Sequence, residues 1–203
     1  LPGLLTLTWD TSAVFPGNQS GVRIRLLTDD NAISPDSDPF TVINTEISAL
    51  AIQVNTGSVL ISYDLTGVAG VTHDMTLEYS LDGGITWITT FNVDQDVASI
   101  LPGTGYTIRW DTFLTFPVNQ PGVRVRLLTD DGTISPESSP FDVINTELSQ
   151  PLVTVNTGSA DISYWMTMSP GSTRDITFQY SVDGGTTWTT STAVTGDLTG
   201  VGQ

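Results

Sequence analysis

Tyr79-Ser80-Leu81-Asp82-Gly83-Gly84-Ile85-Thr86-Trp87 returns as Tyr180-Ser181-Val182-Asp183-Gly184-Gly185-Thr186-Thr187-Trp188, and the interval between the two runs decides the fold. Sliding the chain against itself by the same 101 residues pairs positions 5–102 with 106–203 without a gap, and 52 of these 98 pairs are identical. The identities cluster in blocks: Trp9-Asp10 with Trp110-Asp111, Leu26 to Asp30 with Leu127 to Asp131, and Val42 to Glu46 with Val143 to Glu147. Only at the start does a one-residue shift set Leu1-Pro2-Gly3 on Leu101-Pro102-Gly103. A period of this length is too long for a solenoid coil or a propeller blade, but it is the size of an immunoglobulin-like sandwich.

Period-two alternation points to strands throughout. Val59, Ile61, Tyr63 and Leu65 line one side of a run, as do Met75, Leu77, Tyr79 and Leu81, then Tyr106, Ile108 and Trp110, then Val123, Val125 and Leu127. Nothing repeats at 3.6. Turn signals separate the runs, at Asn55-Thr56-Gly57, Asp82-Gly83-Gly84, Pro117 to Gly122 and Asp131-Gly132. The expected fold is all-β, with tandem sandwiches of about 101 residues each.

The joint between repeats is placed at Asn44-Thr45-Glu46 and its copy Asn145-Thr146-Glu147, where an apolar run stops and identity between the copies then falls. Residues 47–147 are then one complete sandwich. Residues 1–46 are the last three strands of a preceding repeat and 148–203 the first four of a following one, so the chain starts and stops in mid-repeat. Each half would expose what the other covers, which predicts Gln203 of one copy close to Leu1 of the next in an open, head-to-tail assembly.

Composition narrows the function classes. All six cations are Arg against 22 Asp and Glu, for a formal charge of −16. The absence of Lys removes phosphate-loop and Schiff-base lysines, and the acidic balance disfavours nucleic acid and anionic membranes as partners. Without Cys there is neither a disulfide nor a thiolate site. No apolar run approaches the ~20 residues needed to span a bilayer, and the first residues carry no signal pattern.

The block Gly105-Tyr106-Thr107-Ile108-Arg109-Trp110-Asp111, with Gly122-Val123-Arg124-Val125-Arg126 and Ser139-Pro140-Phe141-Asp142-Val143-Ile144-Asn145, resembles the fibronectin type III-like, immunoglobulin-like repeats of very large bacterial surface and secreted proteins. The first copy carries Trp9-Asp10, Gly21 to Arg25 and Asp38 to Asn44 in the same order. Such modules serve as spacers, adhesins, fibre subunits and enzyme accessories, so the resemblance implies a fold and an extracellular or cell-surface location more than an activity. The run Ser80, Asp82, Gly84, Thr86, Trp87, with Ser181, Asp183, Gly185, Thr187, Trp188, is similar to the Asp box of sialidase propellers. Asp boxes are structural turns there, and two of them 101 residues apart do not make a propeller. In chemical terms the Asp accepts backbone N–H bonds, the Gly supplies a positive φ and the Trp packs across the turn.

No catalytic or cofactor-binding group is expected. The single His, His73, is Arg174 in the other copy, so no His-based chemistry can be shared by the repeats. Arg23, Arg25, Arg124 and Arg126 alternate with apolar residues and read as sheet-face cations for carboxylates such as Glu78. Asp29, Asp30, Asp36 and Asp38, with Asp130, Asp131 and Glu137, are clustered carboxylates without a Lys, and Glu46 is placed to approach Asp131 across a joint, as Glu147 would at the next. These are candidates for Ca²⁺, or else turns in which each Asp caps its own backbone. Asn18-Gln19-Ser20 is a formal glycosylation sequon, and Asn119-Gln120-Pro121 is not.

The expected function is therefore a structural module, two periods of an extracellular fibre, filament or adhesin stalk that meets copies of itself head to tail. The alternative is a glycan- or receptor-binding adhesin module, or an accessory module of a secreted enzyme. Exposed Trp or Tyr clusters beside polar groups would favour the alternative.

Overall fold

The structure is a computed structural model that describes residues 3–95 and 97–202. Leu1, Pro2, Asp96 and Gln203 lie outside the described residues, and with them the expected approach of Gln203 to Leu1. Among the described residues there are strands and turns and no helix.

The long alternating runs make the central body. It contains β3 (Glu46–Asn55), β4 (Ser58–Thr66), β5 (Met75–Ser80), β6 (Ile88–Thr90), β7 (Gly103–Asp111), β8 (Gln120–Thr129) and β9 (Phe141–Val143); before it come β1 (Gln19–Val22) and β2 (Phe40–Val42). The seven central strands form a three-stranded sheet, β3-β4-β7, and a four-stranded sheet, β6-β5-β8-β9, all antiparallel. One core serves both sheets, as in a β-sandwich. Val59, Ile61, Tyr63 and Leu65 of β4 and Ile108 and Trp110 of β7 meet Met75 and Leu77 of β5 and Val123, Val125 and Leu127 of β8. Trp110 is fully buried, stacked on Tyr79 at 5.3 Å between ring centroids and edge-on to Phe116 at 5.6 Å. The alternation locates these residues because a pleated strand sends every second side chain to the same face. Leu81 is the exception: β5 stops at Ser80, and Leu81 stands exposed in the turn.

The β3–β4 hairpin turns at Thr56-Gly57, where Gly57 has φ +78 and a Cβ would lie 2.2 Å from the Phe113 ring. Only glycine satisfies both conditions.

The flanking segments are built differently. Residues 3–46 hold the paired β1 and β2 and a bridge from Leu27 to Ile33, while residues 5–10, the copy of most of β7, form no strand. Two strands and a bridge thus stand where three strands are expected. After the central body come β10 (Thr146–Leu148), β11 (Leu152–Asn156), β12 (Ser159–Ser163), β13 (Met166–Met168), β14 (Thr173–Arg174), β15 (Gln179–Tyr180), β16 (Thr189–Thr190) and β17 (Val201–Gly202). The copy of β4 is broken into β12 and β13, and the copy of β5 shrinks to β15. The cause is missing partners. β4 is held between β3 and β7, whereas β12 pairs with β11 alone.

The two flanks touch opposite ends of the central sandwich. At the end where Glu46 pairs with Thr66, Asn18 Nδ2 donates to Thr133 Oγ1 at 2.8 Å. At the end where Asn55 pairs with Ser58, Ser169 Oγ donates to the Phe113 carbonyl at 3.1 Å.

Candidate functional site

Three constellations hold the polar side chains: the Asp-Gly-Gly turns, the Asn pairs at the joints and the carboxylate loops.

In the first turn Ser80 Oγ donates to Asp82 Oδ1 at 2.8 Å and accepts from Gly84 N at 2.9 Å. Asp82 Oδ1 also accepts from Ile85 N and Thr86 N at 3.1 and 2.9 Å, and its Oδ2 from Thr86 Oγ1 at 2.6 Å. The second turn repeats this with Ser181, Asp183, Gly185, Thr186 and Thr187, at 2.7 to 3.1 Å. Gly84 and Gly185 have φ of +97 and +90. Each carboxylate thus accepts four bonds from its own loop, three on Oδ1 and one on Oδ2. The Thr86 hydroxyl, the Thr86 N–H and the Ser80 hydroxyl hold Asp82 at about 2, below its ordinary 3.8, and the corresponding groups depress Asp183 further. Trp87 donates its indole N–H to the Gly84 carbonyl at 3.0 Å, and Trp188 lies over Gly185. Arg126 stands 4.3 Å over the Trp87 ring and bonds Glu78 at 2.7 Å, so one of the four alternating arginines meets the carboxylate named for them. Arg124 lies 3.8 Å from Glu137, and Arg23 donates to the Ser37 carbonyl.

The joints are closed by asparagines that turn reading passes over. Asn18 Oδ1 accepts from Asn44 N and Thr45 N at 2.6 and 2.8 Å; Asn119 Oδ1 accepts from Asn145 N and Thr146 N, both at 2.6 Å. Asn44 Nδ2 donates to the Phe15 carbonyl, as the wholly buried Asn145 does to Phe116, at 2.9 and 2.8 Å. Asn145 bonds Thr112 as well, at its carbonyl and its hydroxyl. The Asn18 amide donates to both the Thr45 carbonyl and Thr133 Oγ1, so a sugar on this nitrogen would break one of the two bonds. The only sequence signal is identity between the copies at small polar positions.

The carboxylates are dispersed. Asp131 accepts from Thr129 Oγ1 at 2.5 Å and Thr133 Oγ1 at 2.8 Å. Partial burial pushes it up, but these hydroxyls outweigh burial and hold it at about 2. Asp30 accepts from Thr28 in the same way, and Glu147 accepts from Thr56. Asp130 faces the buried His73 at 3.3 Å. Asp29, Asp36 and Asp38 are exposed in loop, and Glu46 is exposed at the start of β3. Across the joint Gly17 packs on Asp131, where a Cβ would come within 2.6 Å of its carboxylate. Among the described residues no three of His, Asp and Glu gather into a cation site. Arg174, in the place of His73, bonds the Thr146 hydroxyl and the Pro117 carbonyl and so ties the last segment to the central body.

In comparisons with known proteins no family model matches the chain, and neither a curated protein nor a solved structure matches it.

Proposed function

We propose that the chain is a non-catalytic structural segment: two periods of a tandem array of fibronectin type III-like, immunoglobulin-like sandwiches, stacked head to tail in an extracellular fibre, filament or adhesin stalk. On this reading residues 47–147 are one whole module and residues 1–46 and 148–203 are parts of its neighbours. The three-plus-four order β3-β4-β7 and β6-β5-β8-β9 supports the family. The observation that carries the function is the repeated joint. The Asn18 and Asn119 clasps sit 101 residues apart with the same bonds, each fixing the end of its own segment at Asn44-Thr45 or Asn145-Thr146, which suits a chain that leaves every module in one direction along a rod.

Small-angle scattering over a concentration series tests this. The maximum dimension should grow with concentration while the cross-section stays that of one sandwich. A cross-section that widens, or a size independent of concentration, contradicts the reading.

The adhesin alternative has its own support in Trp165. It is 69% exposed, and its copy in the central module is the half-exposed Asp64 on the outer face of β4, so the position faces away from the core. An exposed indole suits stacking on a sugar face. Glycan-array binding abolished by Trp165→Ala would favour this second reading.

A further inference from the structure

We infer that His73 makes the joint between residues 3–46 and the central sandwich sensitive to pH: protonation of its ring holds the joint closed, and loss of the proton loosens it. Both sides of this joint lie within one chain, so the device works with or without an array. His73 is 2% exposed, and its backbone is fixed by two bonds to Ile100, both at 2.8 Å. Its Nδ1 stands 3.3 Å from Asp130 Oδ1 and 3.9 Å from Asp131 Oδ2. From there a chain of contacts crosses the joint. Gly17 packs on Asp131 Oδ2, while Asp131 Oδ1 accepts from Thr133 Oγ1 at 2.8 Å, and Thr133 Oγ1 accepts in turn from Asn18 Nδ2 at 2.8 Å. The hydroxyl is free to accept from Asn18 because its own proton is given to Asp131.

The direction follows from what closing the joint does to the charges. Asp131, held at about 2, stays ionised over the range in which a histidine ordinarily changes charge, about pH 5 to 8. Closing sets Gly17 against it, and the Asp131 side chain is 20% exposed against 54% for Asp130. A carboxylate that gives up water is drawn more strongly to a cation beside it and repelled more strongly by a neighbouring carboxylate. An imidazolium at position 73 therefore favours the closed joint, whereas a neutral ring leaves two adjacent carboxylates with no cation beside them. The other groups around the ring do not reverse this. Nε2 has no hydrogen-bond partner among the described residues and faces Gly67, where an added Cβ would lie 3.5 Å away, so its surroundings belong to the sandwich and are the same with the joint open or closed. Asp74 is turned to Ser99 N at 2.8 Å, Glu46 is exposed, and Gly17, Asn18 and Thr45, which meet the Asp131 loop from the other side, are neutral. At the next joint the same position is Arg174, a permanent cation, and it bonds across to the Thr146 hydroxyl and the Pro117 carbonyl. His73 supplies such a cation only when protonated.

With one His and no Cys in the chain, the joint and the ring can each be followed by a probe of its own. Spin labels on Ser20→Cys in β1 and Gln53→Cys in β3 report the joint. Their distance distribution should be narrow at about pH 5.5 and broaden at about pH 8, and with His73→Gln added it should be broad at both. The ring resonance of His73 gives the converse measurement in chains whose His is intact. Gly17→Ala, whose Cβ would lie 2.6 Å from Asp131 Oδ2, wedges the joint from the far side of that carboxylate. Because linkage is reciprocal, it should weaken proton binding by His73 about fivefold. A wild-type distribution that is the same at both pH values, a pH response that survives His73→Gln, or a His73 titration unmoved by Gly17→Ala overturns the inference. A His73→Gln chain that does not fold leaves the Gly17→Ala comparison to decide.

Discussion

A carboxylate that accepts four bonds inside its own turn behaves as part of the backbone. Asp82 binds a proton less readily in the folded turn, at about 2, than in the unfolded chain, at its ordinary 3.8. Its contribution to stability is therefore fully present above pH ~4 and is lost as pH falls toward 2. The Thr86 amide resonance should move across that window and stay flat from pH 5 to 8, and Asp82→Asn should abolish the step while the turn persists; an unchanged step in that variant would contradict the assignment. Asn145 is the other decisive residue. Asn145→Ala leaves the buried Phe116 carbonyl without this donor and the buried Thr112 hydroxyl without this acceptor and should lower stability in urea by about 3 kcal/mol, with a smaller loss for the half-exposed Asn44. The turn was legible because Ser, Asp, Gly, Thr and Trp at fixed spacing each have a local job. The clasp was not, because an Asn whose partners lie 26 residues away looks like any polar linker residue.

At the scale of the strands, neighbours decide how much of the sequence pattern becomes structure. The alternation in β4 and its copy is similar, yet β4 runs nine residues and the copy breaks at Tyr164 and Trp165. Period two states which face is apolar and says nothing about whether a partner strand is at hand. Trp110 and Trp9 make the contrast measurable. Trp110→Ala should cost about 3 to 5 kcal/mol at any protein concentration, since Trp110 is buried against Tyr79 and Phe116 within one chain. Trp9→Ala should cost much less, since Trp9 is 43% exposed and stands edge-on to Phe15 at 5.8 Å; an equal penalty for the two variants would contradict this. The carboxylate loops are held by Thr hydroxyls, so a chelator should leave the urea midpoint of the central sandwich unchanged, and a shift would show a cation that dispersed carboxylates do not explain.

For the whole molecule, the account predicts a rod of sandwiches stacked end to end. The charge of −16 opposes lateral bundling of such rods, because their flanks repel one another over a Debye length of about 8 Å at physiological salt. The joint escapes that penalty because neutral groups meet across it, as where Asn18 Nδ2 donates to Thr133 Oγ1. The most direct measurement is helical reconstruction of concentrated protein by electron cryo-microscopy. The account predicts single-module-wide filaments in which sandwiches follow one another along the axis at a repeat of one module. Isolated particles, closed rings, or filaments several modules wide would contradict it.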